Sequence, residues 1–410
     1  MITPLRWLAL AWLFVGLPIA HVIGPAFNDF SQFYYGSLVV REHAWDALYA
    51  IPATADVSPG TDENAIMKPQ QKELLGRLFR RSQIKFWFIQ PPTAAVMLWP
   101  LSFFNPIPAH WAWLVVILSC MWIVARQAER IAELCFGGTS NLTRLIAPLL
   151  VITPLSYHVI RVSNISPIIA ALIGWGVIEL VRNRPLAGLP IAIGTLLKYA
   201  TAPLGVVALC LGRWKAVLMS IVIATAITAA TFAIAGREVF HEFATVIAPS
   251  LKYCPAGEEN LSLEAFLARV TNPSLPAAVA KVSPQVKIVL RVAQLIIAAI
   301  MVWLTVRSRA KIASSAVLIA AACAAWIAWL ILFSPIFWDH YLPYIYPFIG
   351  WAIWEARRDR VRLIVVIAII AMTMFPTPFS VFKFPEPVNS HQMFALMLML
   401  GLAIARLRRA

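Results

Sequence analysis

Charged side chains are scarce in this chain. Only 13% of the 410 residues are Asp, Glu, Lys or Arg, and 60% are apolar, against about 25% charged and about 45–50% apolar residues in soluble domains. The mean hydropathy is +0.77, and apolar runs recur from Leu5 to Ala405. The composition therefore excludes an ordinary soluble protein and predicts a single polytopic membrane domain over residues 1–410.

Cysteines and familiar catalytic motifs are also few. The five cysteines form no CxxC pair and no Cys/His cluster at ligand spacing, so neither a disulfide framework nor a structural zinc site is expected. The absence of Walker A, GxGxxG and HExxH motifs argues against nucleotide hydrolysis and metalloprotease chemistry. The 34 Lys and Arg residues, the net charge of +15 and the 16 tryptophans are typical of basic cytoplasmic loops and aromatic interface belts, not of nucleic-acid binding.

The apolar runs predict an all-α integral membrane protein with about twelve membrane-spanning helices. The predicted spans are 5–25, 87–104, 109–126, 145–160, 165–181, 188–211, 216–235, 287–306, 313–333, 341–356, 362–376 and 391–406. Basic clusters on alternate connections of the second half place both termini in the cytoplasm. The first run resembles a signal peptide in part, but it continues to Gly24 without a small-x-small cleavage context, which favours a retained anchor.

The first half fits this topology less well. The count places Arg126, Arg130, Arg182 and Arg184 outside and Arg161 inside. A re-entrant hairpin between residues 145 and 211 would explain the mismatch, and so would short spans.

Two connections, 27–86 and 236–286, are long and are predicted to lie on the outer face. In the first of them, apolar residues recur with helical spacing over 30–50, and over 72–87 they do so beside several basic residues. This pattern favours amphipathic helices in the membrane interface.

Three residues stand out as candidates for chemistry. Asp29 follows the first span, where it could cap a helix or act as a general base towards an acceptor hydroxyl. Lys198 lies in the middle of an apolar run, where a cation costs about 2.5–3.5 kcal/mol, so it either snorkels or faces an anion such as a phosphate. His340 lies in the segment Ser334–Tyr341 and could bind a phosphate oxygen or donate a hydrogen bond while neutral, whereas its neighbour Asp339 could orient it, cap the next helix or face water.

In their order along the chain, these features resemble the polyprenol-phosphate-sugar-dependent membrane glycosyltransferases of the GT-C fold, and most specifically glycosyltransferase family 87, the alpha-mannosyltransferase-like group. The residues that carry the resemblance are Asp29-Phe30 with Tyr34-Tyr35, Gln90-Pro91-Pro92 with Trp99-Pro100-Leu101, Ala187-Gly188 followed by Lys198 and Pro203, Asn260-Leu261-Ser262-Leu263, and Ser334-Pro335 followed by His340-Tyr341. One element departs from the family. Where such proteins commonly have Gly-Gln-x-Asn, this chain has Val162-Ser163-Asn164, and Asn164 is either a displaced remnant or a turn residue.

The resemblance implies a GT-C-type bundle and an inverting hexosyltransferase, with Asp29 as the catalytic base. Lys198 and His340 would bind the donor phosphate, with Arg77, Arg80, Arg81 or Lys85 as alternatives. Residues predicted to line the substrate pocket are Tyr34, Tyr35, Asn260 and Tyr341.

The substrates implied are a polyprenyl-phosphate sugar donor, with mannose as the default, and a glycolipid or polysaccharide acceptor. No metal and no other cofactor are expected, because no carboxylate pair with metal-ligand spacing accompanies Asp29. The implied location is the plasma membrane, with the active site facing the periplasm or exterior. A secondary transporter or lipid flippase would share the twelve spans and the buried lysine, but no second copy of the Asp29 region marks a repeated half.

Overall fold

The computed structural model describes residues 2–19, 28–49, 88–250, 260–272, 281–374 and 390–410. Within these ranges the chain is helical, and the only β-type contact is an isolated antiparallel bridge between Asn260 and Trp338. The longer helices are Ile2–Ala11, Asn28–Arg41, Pro106–Phe136, Asn141–Val151, Pro154–Val162, Ser166–Val181, Gly188–Lys198, Ala202–Cys210, Trp214–Ala235, Leu263–Thr271, Pro284–Arg307, Ala316–Phe333, Tyr346–Ala356, Arg360–Met374 and His391–Arg408. The all-α prediction is therefore confirmed for the described residues.

Four of these helices are long and apolar enough to cross a membrane alone. They are Pro106–Phe136, Trp214–Ala235, Pro284–Arg307 and Ala316–Phe333, and a fifth crossing results if the bent pair Asn141–Val151 and Pro154–Val162 is counted as one span. The chain is thus a membrane protein, but twelve separate spans are not established. Ala316–Phe333 is the central helix, since 78% of its apolar window is buried, whereas only 6% of the Trp214–Ala235 window is covered by protein. An apolar helix that the protein leaves uncovered is suited to contact with lipid.

Several predicted spans are not single helices, and two of them determine how the site is built. The segment 87–104 contains the short helix Pro92–Met97 and a 3₁₀ turn, Trp99–Phe103, which together are too short for a bilayer that needs about 20 helical residues. The segment 188–211 is broken after Lys198, where Tyr199 adopts a left-handed conformation with φ of +57°.

The two halves of this second segment fold back on each other, and we call the pair Gly188–Lys198 and Ala202–Cys210 the hairpin. The hydroxyl of Thr201 donates to the carbonyl oxygen of Ile191 at 2.7 Å. A Cβ at Gly194 would lie 2.4 Å from the Thr201 methyl carbon, so only glycine allows this close approach. The hairpin therefore enters and leaves on the same side of the bundle, which is the re-entrant arrangement that the charge pattern left open.

The interrupted segment 88–104 explains why the predicted charge topology failed in the first half. Glu129 forms ion pairs with both Arg6 and Arg126, so Arg126 lies on the same side as the start of the first helix. The prediction that Arg126 lies outside while the N-terminus lies inside is therefore wrong. The physical reason is that residues 88–104 do not form a crossing, which removes one predicted crossing before Arg126. The hairpin removes a second one after Arg184, so the second half keeps its predicted orientation.

Arginines gather on this side of the bundle, which we call the basic side. Fully buried Glu355 accepts from Arg362 at 2.7 Å and lies 3.2 Å from Arg406 Nε. Arg357 stacks over Phe136 at 5.3 Å and so joins the end of one long helix to this group. The ends of helices from distant parts of the sequence thus meet on the basic side.

The helix Asn28–Arg41 is confirmed, but it does not lie on the surface as predicted. Phe30, Phe33 and Leu38 are buried by protein, and Arg41 donates to the carbonyl of Ser102 at 2.7 Å. Because this helix is covered by its neighbours, its first turn is held firmly at the side opposite to the basic side. The other predicted interface helix, 72–87, lies outside the described residues.

Candidate active site

Asp29 occupies the first turn of the helix Asn28–Arg41, where the helix dipole favours a negative charge. Its side chain is 20% exposed, so it remains open to a substrate. Gln32, one turn later, donates an amide N–H to Asp29 Oδ1 at 3.0 Å. Asn164 donates its side-chain N–H to the other carboxylate oxygen. The carboxylate is therefore fixed by two neutral amides and accepts hydrogen bonds through both oxygens.

Asn164 lies in the turn between the helices Pro154–Val162 and Ser166–Val181. Its Oδ1 accepts from the Ser166 backbone N–H at 2.8 Å, which leaves its Nδ2 directed at Asp29. The preceding Ser163 has a left-handed backbone, and its carbonyl oxygen accepts from Trp113 Nε1 at 2.9 Å. Both ends of the turn are thus fixed, so Asn164 is a site residue and not only a turn former.

His340 lies between two carboxylates. Its Nε2 is 3.4 Å from Asp29 Oδ2, and its Nδ1 is 3.6 Å from Asp339 Oδ1. Asp339 is fully buried, and His158 Nε2 lies 3.1 Å from the same Oδ1. Burial alone would raise the pKa of the Asp339 carboxyl, but the hydrogen bonds and charges of His158 and His340 prevail and hold it well below its usual range. Asp339 is therefore a carboxylate at neutral pH.

Lys198 ends the first helix of the hairpin and reaches the same place. Its Nζ is buried and has no hydrogen-bond partner among the described residues. It lies 3.5 Å from the centre of the Tyr341 ring, and it is close enough to Asp29 for a Coulombic interaction. The Tyr341 ring in turn meets the His340 ring edge to face at 4.5 Å. The predicted residues Asp29, Lys198, His340 and Tyr341 are thus brought together by the fold, and with Asn164 we call them the site cluster.

Asn260 lies behind the site cluster, where it supports the segment that carries His340. Its side-chain oxygen accepts from the backbone N–H of Phe337 at 3.1 Å, and its amide donates to the carbonyl of Pro335 at 3.1 Å. The backbone N–H of Leu261 adds a bond to the carbonyl of Phe337 at 2.6 Å. These contacts join the second long connection to the segment before Asp339, so Asn260 is placed to position that segment.

Tyr34 and Tyr35 are buried beside the site, but their hydroxyls bind elsewhere. Tyr34 donates to the carbonyl of Phe104 at 2.8 Å, and Tyr35 donates to the carbonyl of Ala47 at 2.6 Å. Phe30 stacks on Tyr34 at 5.6 Å and lies 4.8 Å from the His110 ring. Both tyrosines therefore hold the helix of Asp29 in place, and their prediction as pocket residues stays a prediction.

Sequence analysis did not single out His158. It lies in the helix Pro154–Val162, and with Asp339 and His340 it forms a group whose ligand atoms lie within 4.8 Å of one another. Among the described residues, this is the one group with the composition and spacing of a possible metal site. No local motif reveals it, because His158 is 181 residues away from Asp339 in the sequence.

Comparison with known proteins identifies the family of the chain. The model of glycosyltransferase family 87 matches residues 88–335. This match covers more than half of the chain, and the chain therefore belongs to glycosyltransferase family 87. It is a membrane glycosyltransferase that uses a sugar donor and an acceptor.

The matched region includes Asn164, Lys198 and Asn260 but ends before Asp339, and Asp29 precedes it. No curated protein and no solved structure matches the chain. The roles of Asp29 and His340 therefore have to be argued from the geometry of the site.

Proposed function

We propose that this protein transfers a sugar, with mannose as the first candidate, from a polyprenyl-phosphate donor to a hydroxyl of a glycolipid or polysaccharide. The observation that carries this proposal is the buried Lys198 Nζ, which has no hydrogen-bond partner among the described residues and lies beside Asp29 and His340. A cation held in an apolar bundle without a partner is costly. An anionic group of the donor would remove this cost, and a phosphate oxygen accepts strong charge-assisted hydrogen bonds from Lys.

Asp29 acts as the general base in this proposal. Its carboxylate takes the proton from the acceptor hydroxyl, the acceptor oxygen forms a bond to the anomeric carbon, and the bond from that carbon to the phosphate oxygen breaks. The polyprenyl phosphate leaves with the bonding electron pair, and the anomeric configuration inverts because attack and departure occur on opposite faces. General base catalysis of this kind contributes about 10²- to 10⁴-fold.

Lys198 and His340 stabilise the phosphate as its negative charge grows. Fixed donors in a site with little water act most strongly on charge that develops in the transition state. Asn164 and Gln32 hold the Asp29 carboxylate through one N–H each, so the base is oriented before the acceptor binds. No step in this proposal requires a metal ion.

The proposal places the site cluster on the outer face of the plasma membrane and both termini in the cytoplasm. The basic side carries Arg126, Arg357 and Arg406, and an excess of arginine is typical of cytoplasmic helix ends. The site cluster lies at the opposite ends of the same helices. A GT-C-type bundle of about twelve helices is part of the proposal, with the hairpin in place of one simple span.

The test is sugar transfer by the purified full-length protein in nanodiscs. Labelled polyprenyl-phosphate mannose is offered with a glycolipid extract, and wild type is compared with Asp29→Asn and with the matched control Asp359→Asn. Asp359 is 49% exposed and pairs with Arg362 on the basic side, so its loss should leave transfer intact. The anomeric configuration of the product, read by NMR, decides between inversion and retention.

The expected result is product from wild type and the control only, with the opposite configuration to the donor. Transport of the donor across the membrane without product would favour the flippase alternative instead. Product from wild type and Asp29→Asn at similar rates would remove Asp29 from the chemistry.

A further inference from the structure

We propose that Asp339 and His158 are positioning residues that set the orientation of the His340 imidazole. The inference rests on the proposed function, in which His340 donates to the donor phosphate. The three side chains come from two parts of the chain, since His158 lies in the helix Pro154–Val162 and Asp339 and His340 begin the 3₁₀ segment Asp339–Ile345.

The position of Asp339 is itself fixed. Its side chain is fully buried, and a buried carboxylate is stable only where donors surround it. His158 provides such a donor at 3.1 Å on Oδ1. The Asp339 backbone is also restrained, because Asn260 holds the carbonyl of Pro335 and the N–H of Phe337 just before it.

The two ring nitrogens of His340 face different carboxylates. Its Nδ1 faces Asp339 Oδ1 at 3.6 Å, and the two nitrogens of an imidazole lie on different edges of the ring. With Nδ1 turned towards Asp339, Nε2 necessarily faces the other way, where Asp29 Oδ2 lies at 3.4 Å. Only a ring that is protonated on both nitrogens donates to both carboxylates. Asp339 therefore determines which ring edge faces the site cluster.

In the described part of the chain, Asp29 Oδ2 faces the Nε2 edge of the ring, so Asp339 is the carboxylate that faces the Nδ1 edge. The face of the ring packs edge to face on Tyr341 at 4.5 Å, and this contact leaves the choice between the two nitrogens open. His158 acts one step further away, because it holds the Oδ1 atom that His340 faces. If Asp339 were lost, the His340 ring could turn about its side-chain bonds and lose its alignment with Asp29.

A double-mutant cycle separates positioning from a general structural role. Affinity for labelled polyprenyl-phosphate mannose is measured in nanodiscs for wild type, Asp339→Ala, His340→Ala and the double variant, with Asp359→Ala as the matched control. Asp339→Ala should weaken donor binding about tenfold, which is the loss of one hydrogen bond to a charged group. The same change in the His340→Ala background should alter affinity by less than about twofold, because residues that act through one another are not additive.

Two further variants test the chain of contacts. Asp339→Asn retains an oxygen that accepts a hydrogen bond, so it should recover part of the affinity that Asp339→Ala loses. His158→Phe keeps a ring but removes the donor, so it should weaken binding in the same direction and again only when His340 is present. Equal effects of Asp339→Ala in both backgrounds would overturn the inference, since they would show that Asp339 acts without His340.

Cryo-EM structures of wild type and Asp339→Ala in nanodiscs test the inference without any substrate. The cryo-EM comparison tests the positioning role of Asp339 even if wild type binds no polyprenyl-phosphate mannose. Absence of donor binding by wild type would refute the proposed function but not the positioning role. A His340 ring that keeps its orientation in the variant overturns the inference, and a ring turned away from Asp29 supports it. Stoichiometric metal between His158, Asp339 and His340, seen in the wild-type map and by elemental analysis, would also overturn it in favour of a metal site.

Discussion

Replacement of Lys198 by methionine should weaken donor binding while leaving the protein folded. The Lys198 Nζ is buried, has no hydrogen-bond partner among the described residues and lies 3.5 Å from the centre of the Tyr341 ring. A hydrogen bond between a charged group and its partner contributes about 1.5–3 kcal/mol. Since about 1.4 kcal/mol corresponds to a factor of ten, loss of this bond should raise the donor dissociation constant about 10- to 150-fold.

The same substitution removes a costly charge from the unliganded protein. An intramembrane cation costs about 2.5–3.5 kcal/mol on insertion scales, so Lys198→Met should melt at the same temperature as wild type or higher. A stable protein with poor donor binding is therefore the specific signature of a ligand-binding lysine. A lysine that only stabilises the fold would give the opposite result.

The assay is equilibrium binding of labelled polyprenyl-phosphate mannose to protein in nanodiscs, together with thermal unfolding of each variant. Lys287→Met is the matched control, because Lys287 is 39% exposed and pairs with Glu264 at 3.0 Å. Lys198→Arg should bind better than Lys198→Met, since it keeps the charge. A dissociation constant for Lys198→Met within about twofold of wild type, with wild-type stability, would refute the reasoning that a phosphate lies at Lys198.

Three further variants test the site and the packing of the helix bundle. Asn164→Ala should lower the turnover number about tenfold with little loss of stability, because it removes one hydrogen bond that orients the base, as steady-state transfer kinetics will show. Gly350→Ala should destabilise the protein by about 1–3 kcal/mol through overpacking, because its Cβ would lie 2.4 Å from a backbone oxygen of the helix Pro106–Phe136; Gly401→Ala, where a Cβ meets nothing within 4 Å, is the control in thermal unfolding. Glu355→Gln should cost about 3–5 kcal/mol, because it removes the buried carboxylate that Arg362 and Arg406 share. Glu133→Gln, at a pair whose Arg130 is 48% exposed, is its control in the same measurement.

Specific outcomes would contradict each of these expectations. Unchanged turnover in Asn164→Ala would mean that Gln32 alone orients Asp29. Equal melting temperatures for Gly350→Ala and Gly401→Ala would mean that the helices separate freely at Gly350. A Glu355→Gln protein as stable as wild type would mean that the arginines of the basic side find solvent or lipid partners.

Hydropathy predicted the helical membrane architecture, because apolar length and composition determine that an element is helical in a bilayer. It could not reveal that the run 188–211 doubles back. The break depends on Thr201 binding the Ile191 carbonyl and on Gly194 admitting its side chain, which are contacts between turns and not properties of the run. The charge pattern did indicate an error in the count of spans, because twelve simple spans placed Arg126 and Arg182 on the outer face, where basic residues are unfavourable.

The site was predictable only for residues that stand out in their local sequence. Asp29, Lys198 and His340 each stand out locally as polar residues beside or inside apolar runs, and the fold brings them together. Asn164 and His158 act through contacts with residues 135 and 181 positions away, so their roles depend on tertiary structure. Tyr34 and Tyr35 are close to Asp29 in the sequence, but their hydroxyls bind the carbonyls of Phe104 and Ala47. Residues next to a site in the sequence can thus serve the packing of its helix.

The measurement that tests the central claim most directly is the transfer assay with wild type and Asp29→Asn side by side. Both proteins receive labelled polyprenyl-phosphate mannose and a glycolipid extract in nanodiscs, and donor affinity is measured in the same preparations. The account predicts that Asp29→Asn binds the donor with nearly wild-type affinity but transfers at least about 10²-fold more slowly, because only the proton acceptor is lost. Transfer by Asp29→Asn at the wild-type rate would contradict it, and Asp29 would then be a helix cap.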